Sequence, residues 1–199
     1  VSFKKIILWL SAFVVLTAGF YAVFSYTDLE NRLTFNNGVN LANIIGNKAK
    51  EEHGVPTRLI IPAINVNAKV QYVSLAKDGS VGIPQGPSDV AWYTLGPTPG
   101  EKGSAIITGH YGPWITGAHS VFDNLGNLKV GDTVYVENTK GEKIGFKVID
   151  KKKYGKNEKA EEVFNKNDGV YLNLITCNGE WLKDQKTYTD RLVIFTKKI

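Results

Sequence analysis

At 199 residues, 43% hydrophobic and 22% charged, the chain has room for one ordinary domain plus an extension, and its composition excludes a disordered protein. A net charge of +5, with no basic stripe interleaved with aromatics, argues against nucleic acid as a partner. One cysteine, Cys177, excludes an intrachain disulfide framework, and with scattered histidines it leaves no zinc spacing.

Residues 6–26 read IILWLSAFVVLTAGFYAVFSY without a charge. As a helix they span roughly 30 Å, about one hydrocarbon core. Lys4 and Lys5 precede the segment, and Asp28 and Glu30 follow it. The positive-inside rule then predicts a cytoplasmic tail at 1–5, an anchor at 6–26 and an extracytoplasmic remainder. Trp9, Tyr21 and Tyr26 lie toward the ends, where interfacial aromatics belong. A cleaved signal peptide is the competing reading. It calls for a shorter apolar core and a small-x-small site, and Ala18-Gly19-Phe20 offers no clean one. The expected location is the cell membrane, single-pass. Residues 27–55 read as a membrane-proximal linker holding a helix or two, either a stalk or a flap across the domain.

From Pro56 the pattern changes to short β runs punctuated by glycine and proline. Strands are predicted at 58–61, 69–73, 90–93, 103–108, 133–137, 143–150, 170–176 and 191–196, with turns at Asp78-Gly79, Gly96-Pro97, Pro99-Gly100, Gly131-Asp132, Lys140-Gly141 and Asn178-Gly179. A short turn around 120–125 and a stretch at 158–165 look helical. The run Lys151-Lys152-Lys153 reads as a solvated turn. About eight strands with few helices predict a mainly β domain over 56–199, a closed barrel or a sandwich.

Cys177 closes the run Val170–Thr176, and Arg191 opens the next strand, 13 residues intervening. If those strands pair antiparallel, thiol and guanidinium meet at one rim. His110 closes the run 103–109 and must exit at the same rim to join them. A thiolate can attack a carbonyl, a permanently charged guanidinium can hold the oxyanion, and an imidazolium can protonate a leaving amine. Taken singly, each has a plain alternative: a packed thiol, a loop histidine, an edge charge.

Leu174-Ile175-Thr176-Cys177, Thr108-Gly109-His110, Arg191 and Leu59-Ile60-Ile61-Pro62-Ala63-Ile64 together resemble the sortase family. The likeness extends through Trp92-Tyr93, the segment from Pro97-Thr98-Pro99 to Ser104, Val121-Phe122-Asp123-Asn124-Leu125 and Leu128-Lys129-Val130-Gly131-Asp132, covering roughly 56–199. The resemblance implies an eight-stranded β-barrel and a cysteine transpeptidase. Such an enzyme cleaves an LPXTG-type C-terminal sorting signal between threonine and glycine, holds a thioester, and passes the acyl group to an amine of a peptidoglycan precursor or a pilin. It implies Cys177 as nucleophile, His110 as general acid and base, and Arg191 as oxyanion and substrate donor. It implies surface proteins carrying the sorting signal as partners.

One departure stands beside the nucleophile. The family pattern is often Thr-Leu-x-Thr-Cys, and here the first position is Asn173. Thr176, beside the thiol, and Trp114 and Trp181, which follow the histidine and the cysteine, are candidate substrate contacts; for the two tryptophans plain packing is the alternative. His119 is the rival imidazole within the domain. Glu101, Asp123, Asp184 and Asp190 lack a calcium-loop pattern, so no cofactor and no metal site is expected. Residues 27–55 contain no Asp-Pro-aromatic motif, the lid signature of many pilus-building sortases, and the stretch 151–169 is too short for a long inserted helix. The segment Gly96–Glu101 looks closer to housekeeping-type or class D to F members. Two rival readings remain: a cysteine protease with water as acceptor, and a non-catalytic membrane-tethered barrel that binds peptides or wall glycan.

Overall fold

In the computed structural model, residues 53–114 and 117–199 are described. The expected tail and anchor, and nearly all of the linker, lie outside them. Alternation of buried and solvent-facing side chains, as in Thr133–Asn138, builds strands with one face inward. The strands are β1 (Pro56–Ile61), β2 (Val66–Val73), β3 (Val90–Tyr93), β4 (Gly103–Gly109), β5 (Thr133–Asn138), β6 (Lys143–Gly155), β7 (Val170–Leu182) and β8 (Thr187–Lys198), with one short helix, α1 (Glu161–Asn165). They close in the order β1-β2-β3-β4-β7-β8-β6-β5, with β5 returning to β1. Closure removes the open edges that an antiparallel sheet would otherwise present. Two neighbouring pairs are parallel, β2 with β3 and β4 with β7; the other pairings are antiparallel.

Strand parity divides the hydrophobic residues into two sets. Ala105 and Ile107 of β4, Leu172 and Leu174 of β7, and Leu192 and Ile194 of β8 join the barrel interior. The alternate residues, Ile106, Val193 and Phe195, lie on the opposite face and form a second cluster with Tyr154 and with Val163 of α1. The barrel is therefore filled inside, and the outer face of β4-β7-β8-β6 carries its own apolar floor, partly covered by α1.

β2 begins at Val66, three residues before the predicted start, and β6, β7 and β8 run further still beyond their predicted bounds. β7 continues past Cys177 to Leu182 and β8 begins at Thr187, so the predicted 13-residue loop is largely a continuation of the same hairpin. Asn178-Gly179 reads as a turn, but here it opens a bulge between Asn178 and Trp181. Gly179 sits at φ +84°, and a Cβ there would collide with Thr189 and Asp190. β6 absorbs the lysine run, which is strand and not turn: Lys151, Lys152 and Lys153 pair with Ile194, Val193 and Leu192 of β8. The lysines remain solvated while their stems cover apolar surface. Lys151 Nζ donates to the Gly126 and Leu128 carbonyls (2.6 and 3.2 Å), and Lys152 Nζ lies 5.7 Å from the Phe195 ring centroid. The helix expected over 158–165 is confined to α1.

Candidate active site

The parallel pairing of β4 with β7 aligns Thr108 with Ile175. Beyond that last pair β4 leads through Gly109 to His110, and β7 through Thr176 to Cys177. Thr176 confirms the alignment, its hydroxyl donating to the Gly109 carbonyl at 2.8 Å. Across the antiparallel pair, Cys177 is the direct partner of Arg191, and Arg191 is in turn the partner of Tyr154 on β6. Cys177, Arg191 and Tyr154 thus form one row across β7, β8 and β6 on the outer face, and His110 follows directly on the end of β4, the strand beside β7. All four line one groove of about 1190 Å³.

Ile175 and Val193 contribute to the floor of that groove. The β2–β3 connection borders it with Leu75 and Ile83, and the segment leading into β7 borders it with Val163 and Phe164. The first of these has a direct hold on the imidazole: His110 Nε2 lies 2.8 Å from the Pro84 carbonyl. A carbonyl only accepts, so Nε2 carries a proton and Nδ1 is the nitrogen left to exchange one in the neutral ring. Trp114 packs edge-on against the imidazole, centroids 4.8 Å apart.

Cys177 is half-buried, and burial pushes its thiol above the ordinary value while the Arg191 guanidinium offsets part of that rise. The resting sulfur therefore holds its proton at neutral pH, and a base must take it. The guanidinium is oriented by the start of β8. Nη1 donates to the Tyr188 and Asp190 carbonyls (3.2 and 2.9 Å), and Nη2 to Thr187 Oγ1 (3.1 Å). Together these groups can hold a peptide carbonyl over a sulfur nucleophile with a cation at hand for the developing oxyanion.

The remaining expected residues fall in distinct places. Trp181 borders the groove, half-exposed, and packs against Tyr188, which packs in turn on Tyr111. Thr176 borders it too, but with its hydroxyl engaged by Gly109 it ties two strand ends together. The rival imidazole, His119, has a side chain 97% exposed and lies 3.3 Å from Asp123 Oδ2; it does not line the groove. Asp123 instead shapes the loop after His110, accepting from the Gly112 and Ser120 amides (2.8 and 3.0 Å). Among the described residues no group of three or more His, Cys, Asp or Glu is placed to hold a metal.

Tyr154 escaped the sequence reading, and Asn173 was noted there only as a departure from the family pattern, without its role. Tyr154 donates to Glu162 Oε1 at 2.5 Å, so it fastens α1 beside the arginine; burial and this carboxylate hold the phenol well above its ordinary value. Asn173, 1% exposed on the outer face of β7, donates through Nδ2 to the Val163 carbonyl at 2.6 Å. The residue that departs from the family pattern therefore clasps the helix forming the groove wall. A polar residue in an otherwise apolar strand run was the available signal.

The sortase domain family model matches residues 59–199. No curated protein sequence matches the chain. Among solved structures, the chain is similar to sortase C-1 from Actinomyces oris (22% identity, 77% of this chain and 80% of that one, TM-score 0.58). It is also similar to Streptococcus agalactiae sortase C1 in complex with MTSET (26%, 71% and 66%, TM-score 0.56) and to sortase C1 from Streptococcus suis (21%, 79% of each, TM-score 0.57). These likenesses bear on the fold; the family itself rests on the model match, which spans most of the chain, and the chain belongs to the sortase family.

Proposed function

We propose that this chain is a cysteine transpeptidase acting on an LPXTG-type sorting signal. The observation that carries the reading is that His110, Cys177 and Arg191 line one largely apolar groove of about 1190 Å³, with Cys177 and Arg191 directly paired across β7 and β8. In the first half-reaction the Cys177 proton passes to the imidazole and the thiolate adds to the threonine carbonyl carbon. Arg191 faces the resulting oxyanion. As the tetrahedral adduct collapses, the C–N bond breaks, the imidazolium protonates the departing glycine amine, and a thioester remains. In the second half an acceptor amine loses a proton to the imidazole and attacks the thioester, and the sulfur leaves and is reprotonated. Surface proteins bearing the signal are the donors, and an amine of the wall precursor or of a pilin is the acceptor. Residues 6–26 would hold the domain on the outer side of the cell membrane, a placement that membrane fractionation with protease protection tests.

The reaction is tested by incubating the chain with an LPXTG peptide and increasing amine, following products by mass. A ligated product that displaces hydrolysis as amine rises is expected; hydrolysis alone at saturating amine makes the chain a protease. A non-catalytic barrel is tested by alkylation of Cys177: it predicts an inert thiol, and labelling that a signal-like peptide suppresses argues against it.

A further inference from the structure

The imidazole of His110 is held by a backbone peptide, and that peptide is itself gripped from the other side. His110 Nε2 donates to the Pro84 carbonyl at 2.8 Å. The amide of the same peptide unit, Gln85 N–H, donates to Gln71 Oε1 at 2.9 Å. Gln71 Nε2 then donates to the Gln85 carbonyl (2.9 Å) and to Asp89 Oδ2 (3.0 Å), which fixes which end of the side-chain amide faces which group. The described residues contain no cis peptide bond, so the 84–85 carbonyl and N–H point in opposite directions, as this chain of bonds requires. The rest of the β2–β3 connection is pinned independently. Thr108 Oγ1 donates to the Gly82 carbonyl (3.0 Å), and Val121 N–H donates to the Pro87 carbonyl (2.8 Å).

We propose that Gln71 is a positioning residue for His110, acting through the Pro84–Gln85 peptide to keep the imidazole proton on Nε2 and Nδ1 open for the proton that Cys177 and the substrate exchange. The inference rests on the proposed reaction for its kinetic consequence, but not for its structural one. A glutamine serves this purpose better than a carboxylate. It offers an acceptor to Gln85 N–H and a donor to Gln85 C=O at once, the complementary pair that a neighbouring strand would supply. Each bond in the chain polarises the next, so the Pro84 oxygen becomes a better acceptor when Gln85 N–H is bonded. The carbonyl thus occupies the place that a side-chain carboxylate or amide fills in other nucleophile–histidine pairs.

The test uses the full chain in detergent. It has three histidines, and the His110 nitrogen signals are identified by their loss in His110→Gln. In the parent, the neutral ring should hold its proton on Nε2. In Gln71→Leu the nitrogen shifts should move toward a mixture of both tautomers, and kcat for the LPXTG peptide should fall about 10-fold with KM within about twofold, a modest part of the 10²–10⁴ that acid–base catalysis supplies. A folded Gln71→Leu that keeps the parent's tautomer, or its kcat, overturns the inference. Should Gln71→Leu fail to fold, Asp89→Ala, which frees the amide to rotate, must produce the same shift and loss at smaller size, and parent-like behaviour there overturns it equally. A parent chain that forms no product with amine or water sinks the proposed reaction, while the nitrogen spectra still decide whether Gln71 sets the tautomer.

Discussion

The β7–β8 hairpin is two structures in one. Its stem, 170–177 against 191–197, is in regular register, and apart from exposed Lys197 its residues are buried or half-buried. Its tip, 178–190, is bulged, and runs solvated from Gly179 to Lys186 apart from half-buried Leu182. The stem holds barrel leucines on one face and the groove floor on the other, so each of its residues is fixed twice. The tip supplies instead the carbonyls and hydroxyl that orient Arg191, and the exposed Trp181 at the groove margin. Cys177 and Arg191 lie at the junction, where precision comes from the stem and access from the tip.

Substitutions can sharpen that division. At the junction, Cys177→Ala should remove product formation by more than about 10³-fold while leaving the melting temperature close to the parent's, as a peptide-ligation assay and a thermal scan would show. Appreciable turnover in that variant would end the nucleophile assignment. Arg191→Lys keeps a charge but loses the planar fork, and should lower kcat/KM about 100-fold. In the stem, Leu174→Ala opens a cavity in the sealed core and should destabilise the fold by about 3 kcal/mol in denaturant titration. An effect near zero would mean that the stem is not the rigid half.

The pH response separates the two halves further. Because burial raises the Cys177 thiol and Arg191 offsets it, alkylation by a neutral reagent should be slow at neutral pH. Its rate should keep climbing past the range of an ordinary thiol. Removing the offset in Arg191→Ala leaves the thiol higher still, so labelling at a fixed pH below the midpoint should slow by about threefold or more. The smallest effect belongs to the tip. Trp181→Ala should shift stability by less than about 0.5 kcal/mol, and raise the peptide KM only a few-fold.

The strands were legible because barrel residues alternate and glycine or proline punctuates their ends; β3 has the predicted bounds, β1, β4 and β5 differ by one or two residues at an end, and β2 by three. The extensions of β6, β7 and β8 were not legible. Asn178-Gly179 and the three lysines carry turn and surface chemistry locally, and only pairing with a distant partner makes them strand. Cys177 stood out as a candidate because it is the one cysteine of the chain, and His110 and Arg191 because each is one of three residues of its type and sits at a predicted strand end. What supports them was hidden for the opposite reason. Pro84 acts through a backbone oxygen that every residue has, and Asn173, Tyr154 and Gln71 acquire their meaning from residues 10, 8 and 14 positions away in sequence.

The parallel union of β4 and β7 has a consequence for the life of the chain. The ends of β4 and β7, which carry His110 and Cys177, meet only through a contact spanning 67 positions, and Arg191 enters from β8, later in the chain than either. Long-range parallel pairing forms late, since closing so large a loop must precede any reward. A nascent or half-folded molecule is therefore chemically disarmed, its sulfur an ordinary thiol without base or cation. The three groups come together when the cylinder has shut.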